Sequence, residues 1–131
     1  RDTGPLADAL REDLQIPILR LHEDPTTVDR LAFLKVRRLL RVHPVHVVHT
    51  HNSEPFFDGT LGAALAGVRT VVHTEHGRAW DDTPLRWRVV EHLLSYYAYR
   101  VVTVSDDSAR SLMQREKIPR GKIGFRPRDK P

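Results

Sequence analysis

Three short segments rich in β-branched residues recur along this chain, and a segment with helical spacing follows each of them. They cover residues 45–49, 69–73 and 100–104. Their mostly apolar composition is typical of strands buried in a parallel sheet. Because the connections are short, the order of segments predicts an α/β domain in which helices cover both faces of a mostly parallel sheet.

Capping residues and helix breakers delimit the predicted helices. Thr26 or Thr27 caps a helix that Pro44 ends, and Asp58 caps a helix over Gly59–Ala66 that Gly67 ends. The other predicted elements are a helix over residues 5–14, a strand over Gln15–Leu21, a helix from Pro84 to about Tyr99 after a Thr83 cap, and a helix from Ser105 to about Lys117.

Length and composition limit the class of protein. The chain has 131 residues, of which 40% are hydrophobic and 29% are charged, which indicates one globular domain. No apolar run reaches the ~18 residues that a membrane span needs. Cysteine is absent, so disulfides, thiolate metal sites and cysteine nucleophiles are excluded.

Positive charge is concentrated near the end of the chain. Residues 110–131 carry eight basic and two acidic side chains. We therefore predict a domain over residues 1–123 and a basic tail over 124–131. Such a tail suits contact with an anionic membrane surface, whereas no nucleic-acid-binding motif is present.

Polar residues follow three of the predicted strands, and in a parallel sheet the carboxyl ends of the strands meet at one edge. This edge is the predicted ligand site. Within it His76 lies beside Gly77, which leaves space for a ligand, and Arg78 offers donors for a phosphate or carboxylate. The candidate residues are Thr50, His51, Asn52, Ser53, Glu54, Glu75, His76, Gly77, Arg78 and Ser105.

The histidines leave a second interpretation open. Two similar patterns place His49 and His51 at the end of one strand, and His73 and His76 at the end of the next. Neutral imidazoles bind zinc, so a metal hydrolase using these four residues is an alternative. The other interpretation makes His49 and His73 hydrogen-bonded histidines of the core.

Several segments, in this order, resemble glycosyltransferase family 4, whose members are retaining GT-B enzymes. The resemblance covers residues 44–123 and depends on the combined order and spacing of its motifs. The motifs are V-V-H-T-H-N (Val47–Asn52), G-T-L-G-A-A-L-A-G-V (Gly59–Val68), V-V-H-T-E-H-G-R (Val71–Arg78), R-V-V-T-V-S (Arg100–Ser105) and I-P-R-G-K-I (Ile118–Ile123).

The resemblance implies a Rossmann-like three-layer domain that forms the N-terminal, acceptor-binding half of such an enzyme. His76 matches the acceptor-site histidine of the family, residues 52–54 match the first acceptor loop, and Ser105 matches the serine that closes the third strand. The acceptor would be a sugar or a lipid. A second domain would bind a nucleotide-sugar donor, and this chain would need no cofactor or metal of its own.

The chain also departs from the family pattern. The first strand with its glycine-rich loop and the donor domain have no counterpart in residues 1–131. We therefore expect a fragment that is inactive alone, needs a donor domain in cis or in trans, and can form a homodimer through an exposed sheet edge. The expected location is the cytoplasm, at the inner membrane face if the tail binds lipid. The alternative is a non-catalytic binding or scaffold module.

Overall fold

The computed structural model describes residues 9–10, 12–15, 17–19, 21, 29–76 and 84–125 of the chain. They form four parallel strands whose order in the sheet follows their order in the chain. The predicted α/β class with a parallel sheet is confirmed. The elements are α1 (Ala32–Val42), β1 (Val47–His51), α2 (Ser53–Ala66), β2 (Thr70–Glu75), α3 (Leu85–Tyr97), β3 (Arg100–Thr103), α4 (Asp106–Gln114), a 3₁₀ turn (Arg120–Lys122) and β4 (Ile123–Phe125).

The first two strands extend further than their apolar residues suggest. β1 continues through His51 and β2 through Glu75, where the sequence predicted loops. The two strands pair in parallel as far as His51 opposite Thr74. Pairing with a neighbour decides where a strand ends, and threonine and histidine fit a strand once a partner is present.

Helix α2 begins earlier than predicted. It starts at Ser53, so Glu54 and Pro55 form its first turn rather than a loop ending at Asp58. Proline is compatible with this turn, because the first backbone N–H groups of a helix have no partner within it. Gly67 ends the helix as predicted, with the left-handed φ of 85° that glycine adopts without strain.

The predicted strand over Gln15–Leu21 is not found. Its described residues do not join the sheet, in which β1 pairs with β2 alone among the described strands. Pro17 has no N–H to donate to a ladder, which weakens such a strand. The Thr26, Thr27 and Thr83 caps lie outside the described residues, as does half of the helix predicted over 5–14.

Four further helix ends differ from the prediction. α1 begins at Ala32 rather than near residue 28, after a turn in which the Asp29 carboxylate accepts a hydrogen bond from the Leu31 N–H at 2.9 Å. Pro84 precedes α3 instead of opening it. α3 and α4 end at Tyr97 and Gln114, two to three residues early.

The sheet extends past the predicted domain boundary. β4 pairs in parallel with β3, with Gly124 opposite Val102. The prediction had placed Gly124 and Phe125 in the basic tail, because a three-residue strand with a central glycine has too little pattern to recognise. The last six residues, 126–131, lie outside the described part.

The described helices pack against one face of the sheet. Phe56 of α2 and Leu112 of α4 meet Val101 of β3 in the main core cluster. A second cluster joins Ala63 and Val71 to Leu40 of α1. Side chains on this face alternate with those on the other, so residues such as His49 and His51 point to the opposite side.

Close packing of α1 on α2 depends on Gly62. A Cβ atom at this position would lie 2.6 Å from Val36 Cγ1 and 2.9 Å from the Phe33 carbonyl oxygen. We expect Gly62→Ala to lower the free energy of unfolding by about 1–3 kcal/mol, because the helices must move apart. Urea unfolding measures the loss.

The control for this substitution is Gly121→Ala. A Cβ atom there would meet nothing within 4 Å. We expect a change within about 0.5 kcal/mol for this variant. Equal unfolding midpoints for both variants would contradict the role of Gly62.

Candidate functional site

Residues from two strands meet at the carboxyl edge of the sheet. His51 is the last residue of β1, and His76 directly follows β2. Nδ1 of His51 lies 2.9 Å from Nε2 of His76, and the two rings stack with centroids 5.2 Å apart. Both side chains are exposed. The structure therefore brings together two predicted site residues that are 25 positions apart in the sequence.

A third histidine extends this pair along β1. The ring of His49 lies 4.3 Å from that of His51, and its Nε2 lies 2.8 Å from the Thr74 hydroxyl. His49 is exposed rather than in the core. Partial desolvation, and then the nearby rings of His49 and His76, lower the pKa of His51 below its usual value of 6.5. The neutral form of His51 is therefore favoured.

A separate series of interacting polar side chains lies inside the domain, on the helix-covered face of the sheet. The Thr50 hydroxyl lies 3.0 Å from Nδ1 of His73, and Nε2 of His73 lies 3.8 Å from a Glu75 carboxylate oxygen. The ring of Phe56 stacks on His73 with centroids 3.9 Å apart. His73 is thus the hydrogen-bonded core histidine that one interpretation expected.

This burial corrects the prediction for Thr50 and Glu75. Both were expected to contact a ligand from loops, but both belong to strands and are only 5% and 1% exposed. Their side chains hold His73 instead. The alternation of a strand carries every second residue to the helix-covered face, which separates them from His51 and His76.

Asn52 forms the turn between β1 and α2. Its φ of 65° and ψ of 171° belong to a region that costs a residue other than glycine about 1–3 kcal/mol. Its N–H donates to the Thr74 carbonyl at 3.2 Å, which ties the turn to β2. Ser53 and Glu54 follow in the first helical turn, where the acidic Glu54 favours the positive end of the helix dipole.

Ser105 caps α4 as the sequence predicted. Its hydroxyl accepts a hydrogen bond from the Ser108 N–H at 3.1 Å and donates to the Ser108 hydroxyl at 2.9 Å. Through these two bonds the Ser105 hydroxyl caps the N-terminus of α4. Gly77 and Arg78 of the predicted site lie outside the described residues.

Two cavities open beside these residues and share Glu54 and Asp58 in their walls. One, of about 530 Å³, runs along β1 past His49 and His51. The other, of about 510 Å³, lies between the first turns of α2 and α3. The second cavity is lined by Asp29, Arg30, Glu54, Phe57, Asp58, Arg86 and Trp87.

Of the residues that line the second cavity, the sequence identified only Glu54 as a candidate site residue. The helical spacing of Trp87 with Val90 and Leu94 predicts that it lies on the apolar face of its helix, yet it is 36% exposed. The buried positions of α3 are instead Glu91 and Ser95. These residues could have been predicted from the order of elements. A helix that follows a strand begins at the carboxyl edge of the sheet, so Arg86 and Trp87 at the start of α3 lie there.

Neither a metal centre nor a membrane span emerges from the described part of the chain. No three histidine, aspartate or glutamate side chains within it are grouped so that they could hold a metal ion. The metal-hydrolase alternative therefore gains no support from these residues. No described helix is both long and apolar enough to cross a membrane.

Comparison with known proteins gives two findings. Residues 2–128 match the family described as Glycosyltransferase Family 4. A similar protein is the UDP-Gal:alpha-D-GlcNAc-diphosphoundecaprenol alpha-1,3-galactosyltransferase of Escherichia coli, 34% identical over 86 residues. The aligned part covers 63% of this chain and 22% of that relative. Because the family match covers nearly all of its residues, the chain belongs to Glycosyltransferase Family 4.

Proposed function

We propose that this chain is the acceptor-binding part of a retaining GT-B glycosyltransferase, which moves a sugar from a nucleotide-sugar donor to an acceptor hydroxyl. The observation that carries the proposal is the exposed His51–His76 pair, which lies at the carboxyl edge of the sheet. An imidazole in that place can accept a hydrogen bond from a substrate hydroxyl near neutral pH. His76 is the proposed catalytic residue.

The donor is proposed to bind outside this chain. The chain matches 22% of its galactosyltransferase relative, so most of that protein has no counterpart in residues 1–131. We propose that a donor-binding domain, in the same polypeptide or in a partner, supplies the nucleotide-sugar site. The chain by itself would then bind acceptor without turning it over.

We propose a sugar diphosphate linked to a lipid as the acceptor class. The relative is named for such an acceptor, a GlcNAc-diphosphoundecaprenol. The cavity between α2 and α3 has suitable chemistry, since Trp87 offers an aromatic face for a sugar ring and Arg30 and Arg86 offer cations for a diphosphate. The lipid would keep the reaction at a membrane surface, which we propose to be the cytoplasmic one.

Acceptor binding to the chain tests this proposal. Backbone amide NMR signals are recorded while a short-chain GlcNAc-diphospholipid is added, and UDP-galactose is added to a second sample. We expect the acceptor analogue to shift signals at Asn52, Glu54 and His76, and we expect UDP-galactose to leave them in place. Signals at this edge that respond only to UDP-galactose would contradict the acceptor role.

Arg86→Gln examines the diphosphate contact. Loss of one exposed, charged hydrogen-bond donor should weaken binding of the acceptor analogue about fivefold to tenfold. Arg38→Gln is the matched control, because Arg38 is an exposed residue of α1 that lines neither cavity. Equal affinities of the two variants for the acceptor analogue would show that Arg86 does not contact the acceptor.

A further inference from the structure

We propose that His51 is a positioning residue for His76. Its Nδ1 accepts the hydrogen bond of the His76 Nε2–H group, so that Nδ1 of His76 is left to meet the acceptor hydroxyl. This inference rests on the proposed function. Within the described residues, Nδ1 of His76 has no protein partner of its own.

The sheet itself specifies this contact. His51 lies opposite Thr74 in the ladder, so His76 lies two residues beyond the position directly opposite and on the same face. The contact of His49 with Thr74 has the same offset, since His49 lies opposite Val72. Two contacts with equal offsets show that paired strands, rather than a free loop, hold His51 towards His76.

The distance between the two nitrogens limits the protonation of the pair. At 2.9 Å one nitrogen donates and the other accepts, so only one proton can lie between them. If both rings were doubly protonated, two N–H groups would face each other. The pair with its hydrogen bond intact therefore takes up at most one further proton.

The surroundings of His51 favour its role as the acceptor. Among the described residues, the titratable groups near His51 are His49 on its own strand, His76 after β2, and Glu54 and Asp58 of α2, which line the same cavity. Desolvation and the two neighbouring rings lower the pKa of His51. The neutral form of His51 is therefore favoured, and its Nδ1 can accept the hydrogen bond.

One arrangement of the neutral pair suits a substrate hydroxyl. The Nε2–H of His76 is held by Nδ1 of His51, and Nδ1 of His76 then accepts a hydrogen bond from the hydroxyl. Loss of the acceptor at position 51 should therefore weaken acceptor binding.

The tautomer of His76 tests the proposal directly. Long-range ¹H–¹⁵N NMR of the chain at pH 8 distinguishes an imidazole protonated at Nε2 from one protonated at Nδ1. We expect His76 to be protonated at Nε2 in the unmodified chain. His51→Phe keeps a stacking ring without an acceptor, and we expect a mixture of both tautomers there.

Two further variants complete the experiment. His51→Gln restores an acceptor oxygen and should recover the Nε2–H tautomer, at least in part. His46→Phe removes an exposed histidine that precedes β1 and should leave the His76 spectrum unchanged. In His51→Phe the affinity for the acceptor analogue at pH 8 should fall about fivefold.

Protonation of His76 at Nδ1 in the unmodified chain, or an unchanged tautomer in His51→Phe, would overturn the positioning role. These results are independent of the proposed function. If the acceptor analogue binds at the carboxyl edge but the tautomer is unaffected, only the role of His51 fails. If the His76 tautomer changes in His51→Phe but no acceptor analogue binds, the proposed acceptor function is wrong and the positioning of His76 by His51 still holds.

Discussion

His76→Ala should lower the turnover number of a transferase that contains this chain together with a donor-binding domain by about 10²–10⁴-fold. That range is typical for loss of a side chain that exchanges a proton or a hydrogen bond with a reacting hydroxyl. His76 is exposed at the carboxyl edge, and among the described residues only its Nε2 is engaged, by His51. Steady-state transfer rates at saturating donor and acceptor measure the effect.

The His76→Ala substitution should affect acceptor binding and the turnover number, but not donor binding. We therefore expect the KM for the nucleotide sugar to stay within about twofold, because the donor is proposed to bind outside this chain. His46→Ala is the matched control, since it removes an exposed imidazole before β1, away from the carboxyl edge. An unchanged turnover number in His76→Ala would remove His76 from the catalytic machinery.

Phe56→Ala is expected to cost about 3–5 kcal/mol of folding free energy. The Phe56 side chain is 1% exposed and belongs to the main core cluster with Val101 and Leu112. It also stacks on His73, with the ring planes 15° apart. The total free energy of unfolding of a domain is about 5–15 kcal/mol, so the variant should unfold at a much lower urea concentration.

The neighbouring Phe57→Ala is the control for this loss. Phe57 is only partly buried, and its ring meets Phe33 and Trp87 edge to face at 6.3 and 6.0 Å. We expect a clearly smaller loss for it. Phe56→Leu, which keeps most of the buried volume, should cost less than about 1.5 kcal/mol and stays measurable if the alanine variant does not fold. Equal losses for Phe56→Ala and Phe57→Ala would show that Phe56 does not anchor the core.

Local patterns determined the class of fold. The three β-branched segments became neighbouring parallel strands, because each carries apolar side chains to the helix-covered face and a helix follows it at a short interval. Gly67 and Ser105 marked a helix end and a helix start correctly. These signals depend on backbone conformation and on hydrogen bonds within a few residues, which a sequence displays directly.

The site was predictable only in part. His76 was selected as a loop residue beside a ligand edge, and the structure does place it there, exposed. Thr50 and Glu75 were selected by the same reasoning, yet they are buried supports of His73. The polar character of these residues was visible, but the face on which each side chain lies depends on how far its strand extends.

The sequence by itself determined that this chain alternates strands and helices, that polar residues collect at the carboxyl ends of the strands, and that its motifs are those of Glycosyltransferase Family 4. The tertiary structure alone decided that His51 meets His76 and that Trp87 and Arg86 line a cavity. Strand register sets the first of these contacts, and the packing of α3 beside α2 sets the second. Both join residues far apart in the chain, so no local pattern could specify them.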